Sequence, residues 1–205
     1  MKKSPFLVVD IETKKYNTQE RGFTRPFLIG VYDGNEYKEF RNESGLNKTS
    51  WQRRHDKKGG CVDKVLNYML QDKYKNHLIY AHNGGNFDYL FWLNWLKSHD
   101  DEYEFEVTPV QTSIKNILVS KKNSNSRWTF LDSIEIFESF FGRRICLYDI
   151  FKMFSIEVND HYDLNINEYN DEWTVYLKNI VVNQYACLNK IVNGEACRDS
   201  QDVRA

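Results

Sequence analysis

The chain has few of the features that most readily identify a protein. Three prolines, ten glycines and four cysteines are spread over 205 residues, and alanine occurs at four positions. The cysteines (Cys61, Cys146, Cys187, Cys197) form no Cys-x-x-Cys pair and have no paired histidines beside them. That favours a reducing compartment over a disulfide framework or a zinc site. No apolar run approaches the roughly 20 residues of a membrane helix; the longest, Tyr89 to Leu93, stops at Asn94. No signal-peptide core follows Met1-Lys2-Lys3-Ser4-Pro5, because a strand-like run begins at Phe6. No membrane insertion is expected. One-sided charge is missing too: 28 basic and 29 acidic residues leave −1, without the global field of a tight nucleic-acid binder.

Core-forming residues, by contrast, are plentiful. The chain is 41% hydrophobic and 15% aromatic, enough for one domain, expected over 1–194, followed by a polar, unpatterned tail at 195–205. Lys, Asn, Ile, Tyr and Phe together make up 77 residues. AT-rich codons produce that skew, so an organelle, linear plasmid or virus is the expected origin, with a mitochondrial (organelle-encoded) or cytoplasmic location.

Apolar periodicity predicts strands at 6–11, 27–32, 36–40, 78–81, 104–107, 114–121 and 127–131. A hairpin is expected across Asp33-Gly34-Asn35. Helical spacing covers 61–73, 87–98, 133–141, 145–154 and 172–192, with Gly194 placed to end the last helix. The 87–98 helix is apolar on nearly every side and reads as central. Residues 41–60 are polar and carry Arg53-Arg54 and Lys57-Lys58: either a solvated loop or one that touches a phosphate backbone. The pattern implies a mixed α/β sheet with helices on both faces and the 6–11 strand in its middle.

Asp10-Ile11-Glu12 ends the first strand. With a side-chain period of two, both carboxylates share a face while Ile11 points to the other. Such a pair repels itself unless a cation such as Mg²⁺ lies between them; alternatively it is an accident of a strand end. Asn83-Gly84-Gly85-Asn86-Phe87-Asp88 leaves another strand through two glycines and puts Asp88 in the first turn of a helix. There it is either a cap or a metal ligand.

Val8-Val9-Asp10-Ile11-Glu12-Thr13 and Tyr80-Ala81-His82-Asn83-Gly84-Gly85-Asn86-Phe87-Asp88 resemble the first two exonuclease motifs of family B DNA polymerases, in the protein-primed branch of phages and linear plasmids. Leu131-Asp132-Ser133-Ile134 and the residues to Phe137 resemble that branch's Ser/Thr-Leu-x-x-hydrophobic motif, with Ile134 in place of Leu. Tyr176-Leu177-Lys178-Asn179 is similar to the start of the third motif, Tyr-x-x-x-Asp. The resemblance implies a ribonuclease-H-like (DnaQ-like exonuclease) fold and 3′→5′ exonuclease ancestry. It implies that Asp10, Glu12 and Asp88 hold Mg²⁺ or Mn²⁺, and that Tyr176 orients the attacking water. Thr13, Asn83, Phe87 and Ser133 would grip the 3′ end of single-stranded DNA, with a base stacked on Phe87.

Two positions depart from the pattern. Ile180 stands where the third motif needs Asp, and Glu157 falls where the branch places a catalytic lysine. A branched alkyl group cannot bind a hard cation. The leading expectation is a catalytically degenerate domain with a structural or binding role, its partners being proteins or ribonucleoproteins of a larger assembly. The alternative is an active metal-dependent 3′→5′ exonuclease.

Overall fold

A computed structural model describes residues 5–16, 23–42, 60–157 and 171–194. Arg53-Arg54, Lys57-Lys58 and the tail at 195–205 lie outside the described residues. Among the described residues, seven strands form one sheet: β1 (Phe6–Tyr16), β2 (Phe23–Tyr32), β3 (Tyr37–Arg41), β4 (Leu78–Ala81), β5 (Tyr103–Val110), β6 (Ser113–Lys121) and β7 (Arg127–Asp132). Their order is β3-β2-β1-β4-β7-β6-β5. The pairs β1–β4 and β4–β7 are parallel and the rest antiparallel, so the sheet is mixed. The central strand is β4, with β1 beside it.

Among the described residues, five α-helices accompany the sheet: α1 (Cys61–Met69), α2 (Asp88–Ser98), α3 (Ser133–Phe141), α4 (Leu147–Met153) and α5 (Asp171–Val192). Alternation along β1 divides the core in two. Leu7, Val9 and Ile11 join the buried residues of α1 and α2, whereas Phe6 and Val8 join those of α3, α4 and α5. Because both faces are covered, the start of β1 is a continuous apolar run instead of an alternating one.

Three differences from the sequence expectation have physical causes. Strand β1 continues five residues past Ile11, because hairpin pairing with β2 is made by backbone and tolerates the polar residues beyond the core. Helix α2 covers one face and is not central. It buries Tyr89, Trp92, Trp95 and Leu96 while Leu90 is 52% exposed. The segment expected as one helix at 61–73 stops at Met69 and resumes as a 3-10 turn, Asp72–Tyr74. None of the described helices is long and apolar enough to cross a membrane.

Candidate functional site

The site is built just beyond the point where the parallel pairing of β1 with β4 ends, at Val8 opposite Tyr80. Asp10 and Glu12 continue the face of β1 that carries Phe6 and Val8, the side covered by α5. Asp10 is paired with Gly30 on β2. A Cβ at Gly30 would lie 2.9 Å from Leu177 Cγ, so the missing side chain lets α5 press onto the sheet opposite Asp10. Between Glu12 and Thr13 the β1–β2 register shifts, with Glu12 opposite Leu28 and Thr13 opposite Pro26. Phe27 is the extra residue of this bulge, and Pro26 has no N–H for a regular ladder. Thr13 follows the bulge and is half-buried.

From β4 the chain passes His82 and Asn83 into a 3-10 turn, Gly84–Asn86, and then into α2. Asn83 is left-handed, with φ 58°, a conformation asparagine tolerates better than most residues. Gly85 is required by space: a Cβ there would sit 2.0 Å from the carbonyl oxygen of Ile114. The turn delivers Asp88 to the first position of α2, 4% exposed. Phe87 is half-buried and meets Phe91 edge-on at 5.5 Å.

Electrostatics tie these carboxylates together. Burial raises the Asp10 carboxyl to about 7, against one lowering hydrogen bond from the Ile11 backbone. Some of the residue's surface remains accessible, but the carboxyl itself is withdrawn from water. Glu12 rises to about 8 through burial and then through the charges of Asp10 and Asp88. Asp88 is pushed well above the carboxylate range by burial first and by Asp10 next. Tyr176, on α5, has its hydroxyl pushed up by burial, then by Glu12, Tyr148 and Asp10, and by a hydrogen bond with Tyr148. The structure therefore brings Asp10, Glu12, Asp88 and Tyr176 into one electrostatic neighbourhood.

Ile180 lies one turn beyond Tyr176 on α5, 5% exposed, and belongs to the apolar cluster with Trp173, Leu177 and Val181. Glu157 is exposed at the end of the segment following α4. Among the described residues, no three His, Cys, Asp or Glu side chains stand close enough to hold a metal ion. Oxygen donors suit Mg²⁺ or Mn²⁺ chemically, but one turn beyond Tyr176 helix α5 carries the alkyl side chain of Ile180 and no further carboxylate, and the described residues do not fit a two-metal centre.

Ser133 is fully buried and does not reach the surface; its hydroxyl lies 3.1 Å from His82 Nδ1 and accepts from Gln184 Nε2 at 2.9 Å. Asn83 does reach outward. Its Oδ1 accepts from Asn86 at 2.7 Å and from Arg144 Nη2 at 3.1 Å.

Sequence reasoning gave no role to Asp132, the residue that organises the turn. Its Oδ1 accepts from the Asn83 N–H at 2.8 Å and from the Ile134 N–H at 3.0 Å, and its Oδ2 accepts from the Gly85 N–H at 3.0 Å. It thus caps α3 and clamps the glycine turn of the second motif at once. Its position at the strand-to-helix junction was the available signal. Asp132→Ala is expected to lower stability by roughly 3 kcal/mol, since three N–H donors lose a charged acceptor. Asp132→Asn, keeping one acceptor oxygen, should fall between. Urea midpoints of both variants check this.

No protein-family model matches the chain. Over 88 residues, 43% of its length, it is 28% identical to the DNA-directed DNA polymerase of Enterobacteria phage PRD1, of which the match covers 12%. Among solved structures, it superposes on phi29 DNA polymerase, in a ternary complex with primer-template DNA and incoming nucleotide substrates. The TM-score is 0.62 at 17% identity, with 93% of this chain and 32% of that one covered. The fold is ribonuclease-H-like. The mixed α/β sheet is shared with the matched part of that polymerase, and the resemblance to protein-primed family B polymerases holds in sequence, over the matched residues, and in architecture. The chain spans about a third or less of the length of either relative.

Proposed function

We propose that this chain is an exonuclease-like domain, derived from a protein-primed family B DNA polymerase, that accepts a single-stranded DNA 3′ end without hydrolysing it. It acts as a binding or structural part of a larger assembly. The observation that carries this reading is Ile180: a buried alkyl group, integral to the apolar seam of α5, at the place where the related motif has a metal-binding carboxylate. Its neighbours Trp173, Leu177 and Val181 leave it packed as core, and the lysine position is held by exposed Glu157. Around the centre, the parts that suit a strand remain: Phe87 with Phe91 as an aromatic pair, Asn83, and the guanidinium of Arg144.

The competing reading, an active metal-dependent exonuclease, is favoured by one observation: Asp10, Glu12, Asp88 and Tyr176 still sense one another. A 5′-labelled oligonucleotide with a free 3′-hydroxyl separates the two. Incubation with millimolar Mg²⁺ or Mn²⁺ is expected to give binding, seen as a rise in fluorescence anisotropy, and no shortening. Robust shortening that Asp10→Ala abolishes would establish the active reading instead, and absence of any binding would sink both.

A further inference from the structure

Gln184 is a polar residue on the apolar face of α5 with no exposed surface. Its amide is half used: Nε2 donates to Ser133 Oγ at 2.9 Å, while Oε1 is buried with no partner. A stranded buried oxygen is unfavourable enough that an apolar residue would fill the place better, unless the amide serves another group.

That group is His82. A serine hydroxyl has one proton to give. Ser133 Oγ accepts from Gln184, and the hydroxyl's own proton, buried with it, has His82 Nδ1 as its acceptor, 3.1 Å away. Nδ1 is then the acceptor, and the proton of the neutral ring sits on Nε2. The reverse amide orientation would invert the relay, but it would strand an amino group with two protons in the core. Buried N–H groups are left unpaired more rarely than carbonyl oxygens.

Burial, and then the positive charge of Arg144, hold His82 down to about 4, so the ring is neutral at physiological pH. It immediately precedes Asn83, which receives Arg144 at 3.1 Å, and keeps part of its surface accessible. With Nδ1 occupied, Nε2 is left for an outside partner.

We propose that Gln184 is a positioning residue: acting through Ser133, it fixes His82 in the tautomer with the proton on Nε2. The turn before Asp88 then presents one oriented, neutral donor to an acceptor oxygen of a single-stranded nucleic acid. The nucleic-acid half of this proposal rests on the strand-binding reading above; the tautomer half does not.

The test uses the full chain labelled with ¹⁵N-histidine, the His82 resonances being assigned by their loss in His82→Gln. Wild type is expected to show the Nε2-protonated tautomer alone. Gln184→Met, which keeps the volume and removes the amide, should give a mixture with the Nδ1-protonated form. Ser133→Ala, a smaller change that cuts the same relay, should do likewise and serves if the Met variant does not fold. Binding of a fluorescent single-stranded oligonucleotide should weaken roughly two- to tenfold in either variant, the effect of one misdirected hydrogen bond. A wild-type proton on Nδ1, or an unchanged tautomer in the variants, overturns the role of Gln184 while leaving the strand-binding reading intact. A wild type with the predicted tautomer and no affinity for the oligonucleotide overturns the strand-binding reading, and the donor's ligand with it.

Discussion

Ile180→Asp, in metal-free buffer, is expected to lower the melting temperature by about 10 °C, and millimolar Mg²⁺ to restore a large part of the loss. The substitution removes a buried alkyl group and puts an unpaired carboxylate beside Trp173, Leu177 and Val181, a change that costs on the order of 3–5 kcal/mol. For a domain of this length each kcal/mol moves the midpoint by roughly 2–4 °C. A cation held by the new carboxylate with Asp10 and Asp88 would bind the folded state alone and return about 3 kcal/mol at a hundred times its dissociation constant. Combined with Glu157→Lys, the same change should bring cleavage of single-stranded DNA at least about a hundredfold above wild type, since a metal contact at developing charge supplies several kcal/mol. A double variant that melts low, gains nothing from Mg²⁺ and cuts nothing would show that the α5 backbone no longer places position 180 toward the carboxylates.

Asp10→Asn is expected to do the opposite, raising the metal-free melting temperature near pH 8 by roughly 5–10 °C. Folding moves the Asp10 carboxyl from 3.8 to about 7 and Glu12 from 4.5 to about 8, with Asp88 displaced in the same direction. A carboxyl whose folded value is raised holds its proton more tightly in the native state. Its contribution is therefore complete below the unfolded value and is lost as pH climbs through the folded one. For Asp10 alone that loss is at most roughly 4 kcal/mol by alkaline pH. An amide keeps the shape and hydrogen-bonding capacity and removes the charge. Stability of wild type should accordingly decline between about pH 4 and 8. His82 opposes this at the acid end: its folded value near 4 lies below the imidazole value of 6.5, so its contribution is lost as pH falls from 6.5 towards 4. Thermal melts of wild type and Asp10→Asn across that range, with and without Mg²⁺, check both limbs. A wild-type midpoint that rises with Mg²⁺ and a variant that does not would mean the cluster still takes up metal and Ile180 is tolerated.

By itself the sequence determined most of the elements and where Asp10, Glu12 and Asp88 stand in them. Period-two and period-3.6 patterns are local, and Asp10, Glu12 and Asp88 each stand at a strand or helix end defined by its immediate neighbours. The burial of Ile180 was equally legible, since it fits the apolar repeat of its own helix. Tertiary structure decided what those residues meet. The bulge at Glu12–Thr13 depends on Pro26 across the ladder, and the close approach of α5 depends on Gly30, which meets Leu177 from a distant part of the chain. Asp132 became the clamp of the glycine turn only because β7 lies parallel to β4 and ends level with it. Ser133, which the motif alone offers as a surface contact, is enclosed between His82 and Gln184. Hydrogen-bond partners separated by about fifty residues in the chain have no local signature, and burial is a property of the packed faces, not of the segment that supplies the side chain.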